Sequence, residues 1–184
     1  MQLFDAILGR RSIRKFKQKD VPREAIEKML EAVRWTPSWA NTQCWEIILV
    51  RQEEIKRKLS SILSPKNPAI PAVEKAPVVI ALCARLGISG YYKGKALSKY
   101  GDWFMFDLGL AAQNLSLAAH DQGLGSVIAG ALDHDKAKEI LCVPEGYEVV
   151  ALIPVGYPAH SPKAPKRRDL QEFVHEEIFG QSSR

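Results

Sequence analysis

The sequence predicts an α+β domain, and three observations carry that expectation. Apolar residues recur at helical spacing over 22–35 and 99–121. Apolar runs of strand length stand between them and beyond, at 45–51, 76–85 and 147–158. The 184 residues suffice for one substantial core and are too few for two, so a single domain is expected over 1–184.

Taken in order, residues 2–8 place Leu3, Ile7 and Leu8 on one helical face, and the helix ends near Gly9, delivering Arg10 to Arg14 to its end. From Pro22, a good first-turn residue, Ile26, Met29, Leu30 and Val33 repeat at 3.6 spacing. That helix stops before Pro37, because the residue preceding proline is pushed out of the helical region. WEIILVR at 45–51 is rich in β-branched residues and reads as a buried strand, followed by a charged helix over about 53–63. Three prolines make 64–71 a loop. APVVIALCAR at 76–85 is apolar without alternation, which places it in the middle of a sheet. Residues 87–94, with Tyr91 and Tyr92, are glycine-rich and aperiodic: a lid or an exposed loop.

The 99–121 helix is apolar on nearly every face, with small residues at Gly109, Ala111, Ala112, Ala118 and Ala119. Such a helix must be covered all round. A subunit interface with close helix packing is expected; the alternative is the central core helix of a monomer. Residues 125–130 form a short strand or turn, Asp135 caps a helix running to Leu141, and 147–158 is the last strand. The remaining tail is polar, basic and proline-punctuated, with only Phe173, Val174, Ile178 and Phe179 to bury, so it is stable only when laid over something else.

A hydrophobic fraction of 46% and a charged fraction of 26% are those of an ordinary soluble globular protein. The excess of 26 Lys plus Arg over 21 Asp plus Glu suits an anionic ligand, but basic residues are spread along the chain except at 10–19 and 163–168, so nucleic acid is not an expected partner. Cys44, Cys83 and Cys142 are far apart and form no CxxC, which argues against a disulfide framework or a zinc site and fits a reducing cytosol. No stretch sustains the roughly 18 apolar residues a membrane span needs. The N-terminus lacks a secretory signal pattern. A soluble cytoplasmic protein is expected.

Two stretches carry chemistry. GRRSIRKF at 9–16 packs Arg10, Arg11 and Arg14 around the hydroxyl of Ser12, fixed charges and donors suited to a phosphate. WTPSWANTQCW at 35–45 puts Pro37, Ser38 and Asn41 in a turn where apolar helix packing stops. Together with LAAHDQGLGSVIAG and PVGYPAHSPKAPKRR, these elements resemble the nitroreductase family of flavin enzymes. The resemblance implies an α+β nitroreductase-like fold, a mostly antiparallel sheet flanked by helices, in an intertwined homodimer that binds FMN at its interface. Residues 156–184 would form an arm laid over the partner subunit.

By the same resemblance Arg10, Arg11, Ser12 and Arg14 contact the phosphate and ring, with Arg14 near the pyrimidine side, while Lys166 and Arg168 return to the phosphate. Pro37, Ser38, Trp39 and Asn41 would reach the flavin bound mainly to the other subunit. The chain departs from the family with Cys44 in place of proline and Trp39 in place of a small residue. Asn67 corresponds loosely to an asparagine that reaches the ring. Val127, Ile128, Ala129 and Gly130 would lie along the ring, with the backbone N–H of Ala129 or Gly130 donating to flavin N5. The implied activity is an NAD(P)H oxidoreductase using NADH or NADPH in a ping-pong cycle, with nitroaromatics, quinones or similar planar acceptors.

No side chain is assigned a catalytic role, since a flavin carries the hydride chemistry. Two other readings stand beside this one: a specialised flavin enzyme of the same fold, a dehalogenase or flavin-destroying synthase with 86–98 as substrate lid, and a protein that binds FMN without turning it over. GxGxxG, GxxxxGK[ST] and HExxH templates are absent, and Asp133-His134-Asp135 reads as a helix start rather than a metal site.

Overall fold

The computed structural model describes residues 1–181. Helix α1 (Leu3–Gly9) and α2 (Arg23–Arg34) precede a short turn and strand β1 (Trp45–Val50). Then come α3 (Glu53–Ser61), α4 (Ile70–Lys75), β2 (Val78–Arg85), a small hairpin of β3 (Tyr91–Tyr92) and β4 (Lys95–Ala96), and the long α5 (Phe104–Asp121). β5 (Gly125–Ser126), α6 (His134–Leu141) and β6 (Tyr147–Gly156) complete the order. The main sheet runs β1-β2-β6-β5 and every pair in it is antiparallel, the α+β architecture expected.

β2 is central, as its unbroken apolar run predicts, and the structure supplies the reason. Alternate residues point to opposite faces of a strand, and both faces are covered. Val78, Ile80 and Leu82 pack with Met29 and Val33 of α2 and Leu108 and Leu115 of α5. Val79, Ala81 and Cys83 pack with Leu59 of α3, Val73 of α4 and Ala137 of α6.

Four local expectations are corrected. The loop at 64–71 ends early: helix α4 begins at Ile70 with Pro71 in its first turn, where a missing N–H costs no helical bond. α6 is capped by Asp133, not Asp135; its Oδ1 accepts from Lys136 N at 3.1 Å. α5 starts at Phe104 rather than 99, because Gly101 at φ 67° breaks the helical path and the Asp102 carboxylate accepts the Phe104 N–H at 3.1 Å. Residues 157–159 still belong to this subunit's sheet edge: Lys17 donates to Tyr157 O and Ala159 to Lys15 O. The tail therefore departs after Ala159, not at 156.

One stripe of α5 is left uncovered by the chain itself, with Met105 and Phe106 about 60% exposed near its start, and Phe4 and Leu8 of α1, which docks by its Met1 and Gly9 ends at Asp121 and His120 near the end of α5, are also exposed. Leu170, Phe173, Val174, Ile178 and Phe179 of the tail are exposed too. Among the described residues no helix is long and apolar enough to cross a membrane, and no cluster of metal-ligating side chains occurs.

Candidate functional site

The GRRSIRKF segment lies along the edge of the sheet. Ser12 bridges Ser126 in parallel, Ile13 N donates to Ser126 O at 2.9 Å, and Phe16 bridges Pro158. Ile13 alternates inward and is buried over Gly125, where a Cβ would stand 2.5 Å from Ile13 Cγ1. Burial of Ile13 fixes the strip and leaves its polar neighbours, half-buried Ser12 and exposed Arg14, on the outer side.

Arg10, Arg11, Ser12 and Arg14 line a cleft of about 340 Å³. The tail closes it with Lys163 and Arg167; Lys166 and Arg168, the tail cations singled out in the sequence, do not line it. Arg168 instead pairs with Glu172, its Nε 3.3 Å from Oε2. Arg11 uses Nη1 to donate to Leu8 O at 2.6 Å and Arg10 O at 2.8 Å, tying down the C-terminal end of α1. Among the described residues no carboxylate forms an ion pair with any of the five cations at the cleft. Burial first, and then the neighbouring Arg11 and Arg167 charges, hold the Arg10 guanidinium below its ordinary pKa. Crowded cations without a counter-charge, with Arg10 partly buried among them, form a site that a bound anion relieves.

The segment after β5 continues the strip. Val127 and Ala129 are buried, while Ile128 and Gly130 face out. Ala129 exchanges two hydrogen bonds with Leu152, N to O at 2.9 Å and O from N at 3.0 Å. Its N–H is thus engaged inside the sheet, which removes Ala129 as a donor to a ligand ring. The Gly130 N–H has no partner among the described residues. Asn67 Nδ2 reaches Ala131 O at 3.4 Å, and its Oδ1 accepts from Ala69 N at 2.9 Å, so Asn67 is braced beside the same segment. Ile128 and Gly130 open onto an apolar cleft of about 540 Å³ walled by Met105, Leu108 and Val150.

The turn of Pro37, Ser38, Trp39 and Asn41 is assembled elsewhere in the subunit. No hydrogen bond or shared cleft joins it to the arginine strip among the described residues. Ala40, Asn41 and Gln43 all sit at positive φ (44°, 56° and 49°), a conformation non-glycine residues hold only when their surroundings impose it. The imposing group is Asp107 of α5, 1% exposed. Its Oδ1 accepts the Trp39 N–H at 3.0 Å, and its Oδ2 accepts Ser89 Oγ at 2.7 Å and Cys44 Sγ at 3.5 Å. Ser38 Oγ accepts Gln43 N at 2.9 Å.

The Trp39 ring lies 4.9 Å from that of Trp103, itself 5.4 Å from Phe106. Burial, with Asp107 beside it, pushes the Cys44 thiol up to about 12, so this cysteine stays protonated and packs as an apolar group. Asp107 is a residue the sequence reading passes over. Its one signal is an acidic side chain in the first turn of a helix otherwise rich in apolar residues.

Comparison with known proteins places the chain in a family. The family model described as the nitroreductase family matches residues 7–157. A protein of Methanothermobacter thermautotrophicus with the working name NADH dehydrogenase/NAD(P)H nitroreductase is 34% identical over 88% of this chain and 80% of its own length. The FMN reductase (NADPH) of Bacillus subtilis is 30% identical over 95% of this chain and 73% of its own. The crystal structure of a nitroreductase family protein from Clostridium novyi NT superposes with a TM-score of 0.78 at 30% identity, over 99% of this chain and 97% of that one. The chain belongs to the nitroreductase family.

Proposed function

We propose that the protein is an FMN-dependent NAD(P)H oxidoreductase that works by a ping-pong cycle on nitroaromatics, quinones or similar planar acceptors, as a cytoplasmic homodimer. The observation that carries the reading is the cleft of five cations without carboxylate partners, continuous through Ser12 and Ser126 with the outward-facing Gly130. Family membership and the FMN reductase name of a 30%-identical relative support the same cofactor.

The donor set fits FMN. Arg10, Arg14, Lys163 and Arg167 offer charged donors and Ser12 a hydroxyl to a phosphate that carries close to two negative charges. Asn67 and the Gly130 N–H offer neutral donors to a polar ring edge at the other end of the strip. A flavin bound there supplies hydride chemistry, taking a hydride from a nicotinamide and passing it to an acceptor. Excluding water from the reacting face falls to Ile128 and the apolar walls of the adjoining cleft.

The homodimer rests on the uncovered apolar stripe of α1 and α5 and on the tail, whose apolar residues find no cover in their own chain. In this reading the chain is one domain plus an arm laid over the partner, and two-fold pairing brings the partner's Pro37, Ser38, Trp39 and Asn41 to the strip. Three free cysteines, two of them buried, accord with a reducing compartment.

The test is visual and spectroscopic. The purified protein should be a yellow dimer that bleaches under NADH or NADPH without oxygen and recolours when a quinone is added. Colourless protein that takes up no FMN refutes the cofactor. Yellow protein that no nicotinamide bleaches refutes the oxidoreductase activity.

A further inference from the structure

A second charged cleft, of about 510 Å³, lies apart from the flavin strip and shares no lining residue with it. Three separated segments build it. The loop after GRRSIRKF brings Lys17 and Lys19; the residue after β1 and helix α3 bring Arg51, Lys56 and Arg57; the end of α4 brings Lys75. Asp20, Glu53 and Glu74 are the acidic groups among them, so six cations face three carboxylates, a net charge of +3. Among the described residues none of these nine groups forms an ion pair, although paired surface charges occur immediately nearby, as between Lys58 and Glu54.

The floor is built rather than incidental. Lys56 is only 6% exposed, and its ammonium donates to Ala76 O at 2.6 Å, leaving further N–H groups without a protein acceptor. An ammonium hidden without an ion-pair partner is costly, and burial lowers its pKa, opposed by the weaker pull of Glu53. Behind the wall residue Pro77 the packing is close: at Gly156 a Cβ would stand 2.8 Å from Pro77. No aromatic residue is among those lining it; the Tyr157 ring is covered by Lys19, whose Nζ stands 4.1 Å from its centroid.

We propose that this cleft is a binding site for a compact anion of two or more linked phosphoryl groups, gripped by Lys56 at the floor and by Lys19, Arg51, Arg57 and Lys75 around the rim. Free pyrophosphate and the diphosphate end of a nucleotide share that chemistry, and the site reads the phosphoryl groups rather than a base.

Calorimetric titration of the flavin-loaded protein tests it, with orthophosphate, pyrophosphate, tripolyphosphate and ADP as separate ligands. Saturable binding is expected, at least about tenfold tighter for pyrophosphate than for orthophosphate, as one added charge-assisted contact implies. The Arg51→Glu/Lys75→Glu variant should lose at least about tenfold on the same grounds, while Lys28→Glu on distant α2 should bind as the parent does. Pyrophosphate matching ADP supports a site for free polyphosphates, and ADP binding more tightly assigns the nucleotide as source. The proposal is overturned by unsaturable binding, by Lys28→Glu weakening binding as much as the double reversal, or by release of flavin during titration, which would place the anion at the arginine strip.

Discussion

Replacing Arg10 with alanine separates the phosphate grip from every other flavin contact. Arg10 is half-buried, lies beside Arg11 and Arg167, and has no carboxylate partner, so its charge is available to an anion. Arg11 is the poorer substitute for it, because its Nη1 is held on Leu8 O and Arg10 O. A charge-assisted hydrogen bond contributes about 1.5 to 3 kcal/mol, which corresponds to roughly 10- to 150-fold in Kd. Fluorescence quenching on reconstitution of flavin-free protein should show that loss for FMN and leave riboflavin, which lacks the phosphate, bound as before. In the same assay Arg167→Ala should resemble Arg10→Ala, whereas Arg168→Ala, whose side chain is committed to Glu172, should resemble the parent. Equal losses for FMN and riboflavin, or unchanged FMN affinity, would refute the assignment of this cleft to the phosphate.

Asp107→Ala leaves the Trp39 N–H and the Ser89 hydroxyl without acceptors, at about 1 to 3 kcal/mol each; denaturant unfolding should show the loss, with faster amide exchange at 38–43, and unchanged exchange would sink the bracing role. Gly125→Ala drives a methyl to 2.5 Å from Ile13 Cγ1, an overpacking cost of about 1 to 3 kcal/mol; the melting temperature and flavin retention should fall together, because Ile13 anchors the strip. Burial foremost, then Arg10 and Arg11, holds His120 below its ordinary 6.5. The unfolded chain therefore takes up the proton more readily than the native one, and stability is lost as pH falls from the unfolded value through the folded one. His120→Gln should flatten that decline in urea unfolding between about pH 7 and pH 5, and an unaltered slope would exclude His120 as its source.

Most of the fold was legible because it rests on periodicities. The alternate packing of Val78 to Cys83 against two helical layers is what turns a strand's sequence into a continuous apolar run. What misled was chemistry with two meanings. Proline reads as a breaker at 64–71 yet opens α4, and of two aspartates flanking His134 only the one with an extended backbone can cap. At the site, the arginines, the turn and the 127–130 segment were all legible as motifs. Which donor of each faces outward was not, because that depends on partners far along the chain. Leu152 engages the Ala129 N–H and leaves Gly130, while Glu172 holds Arg168 and the tail presents Arg167.

The sequence by itself determined the α+β class, the central place of β2, and the two polar motifs, since apolar spacing and residue chemistry are local properties that survive in one dimension. Only the tertiary structure decided that Asp107 braces the strained turn from 68 residues away, that the cations at the edge strip go without counter-charges, and that a second basic cleft gathers from three separate segments. Charge pairing and hydrogen-bond satisfaction are relations between distant side chains, and the folded backbone alone sets which of them meet.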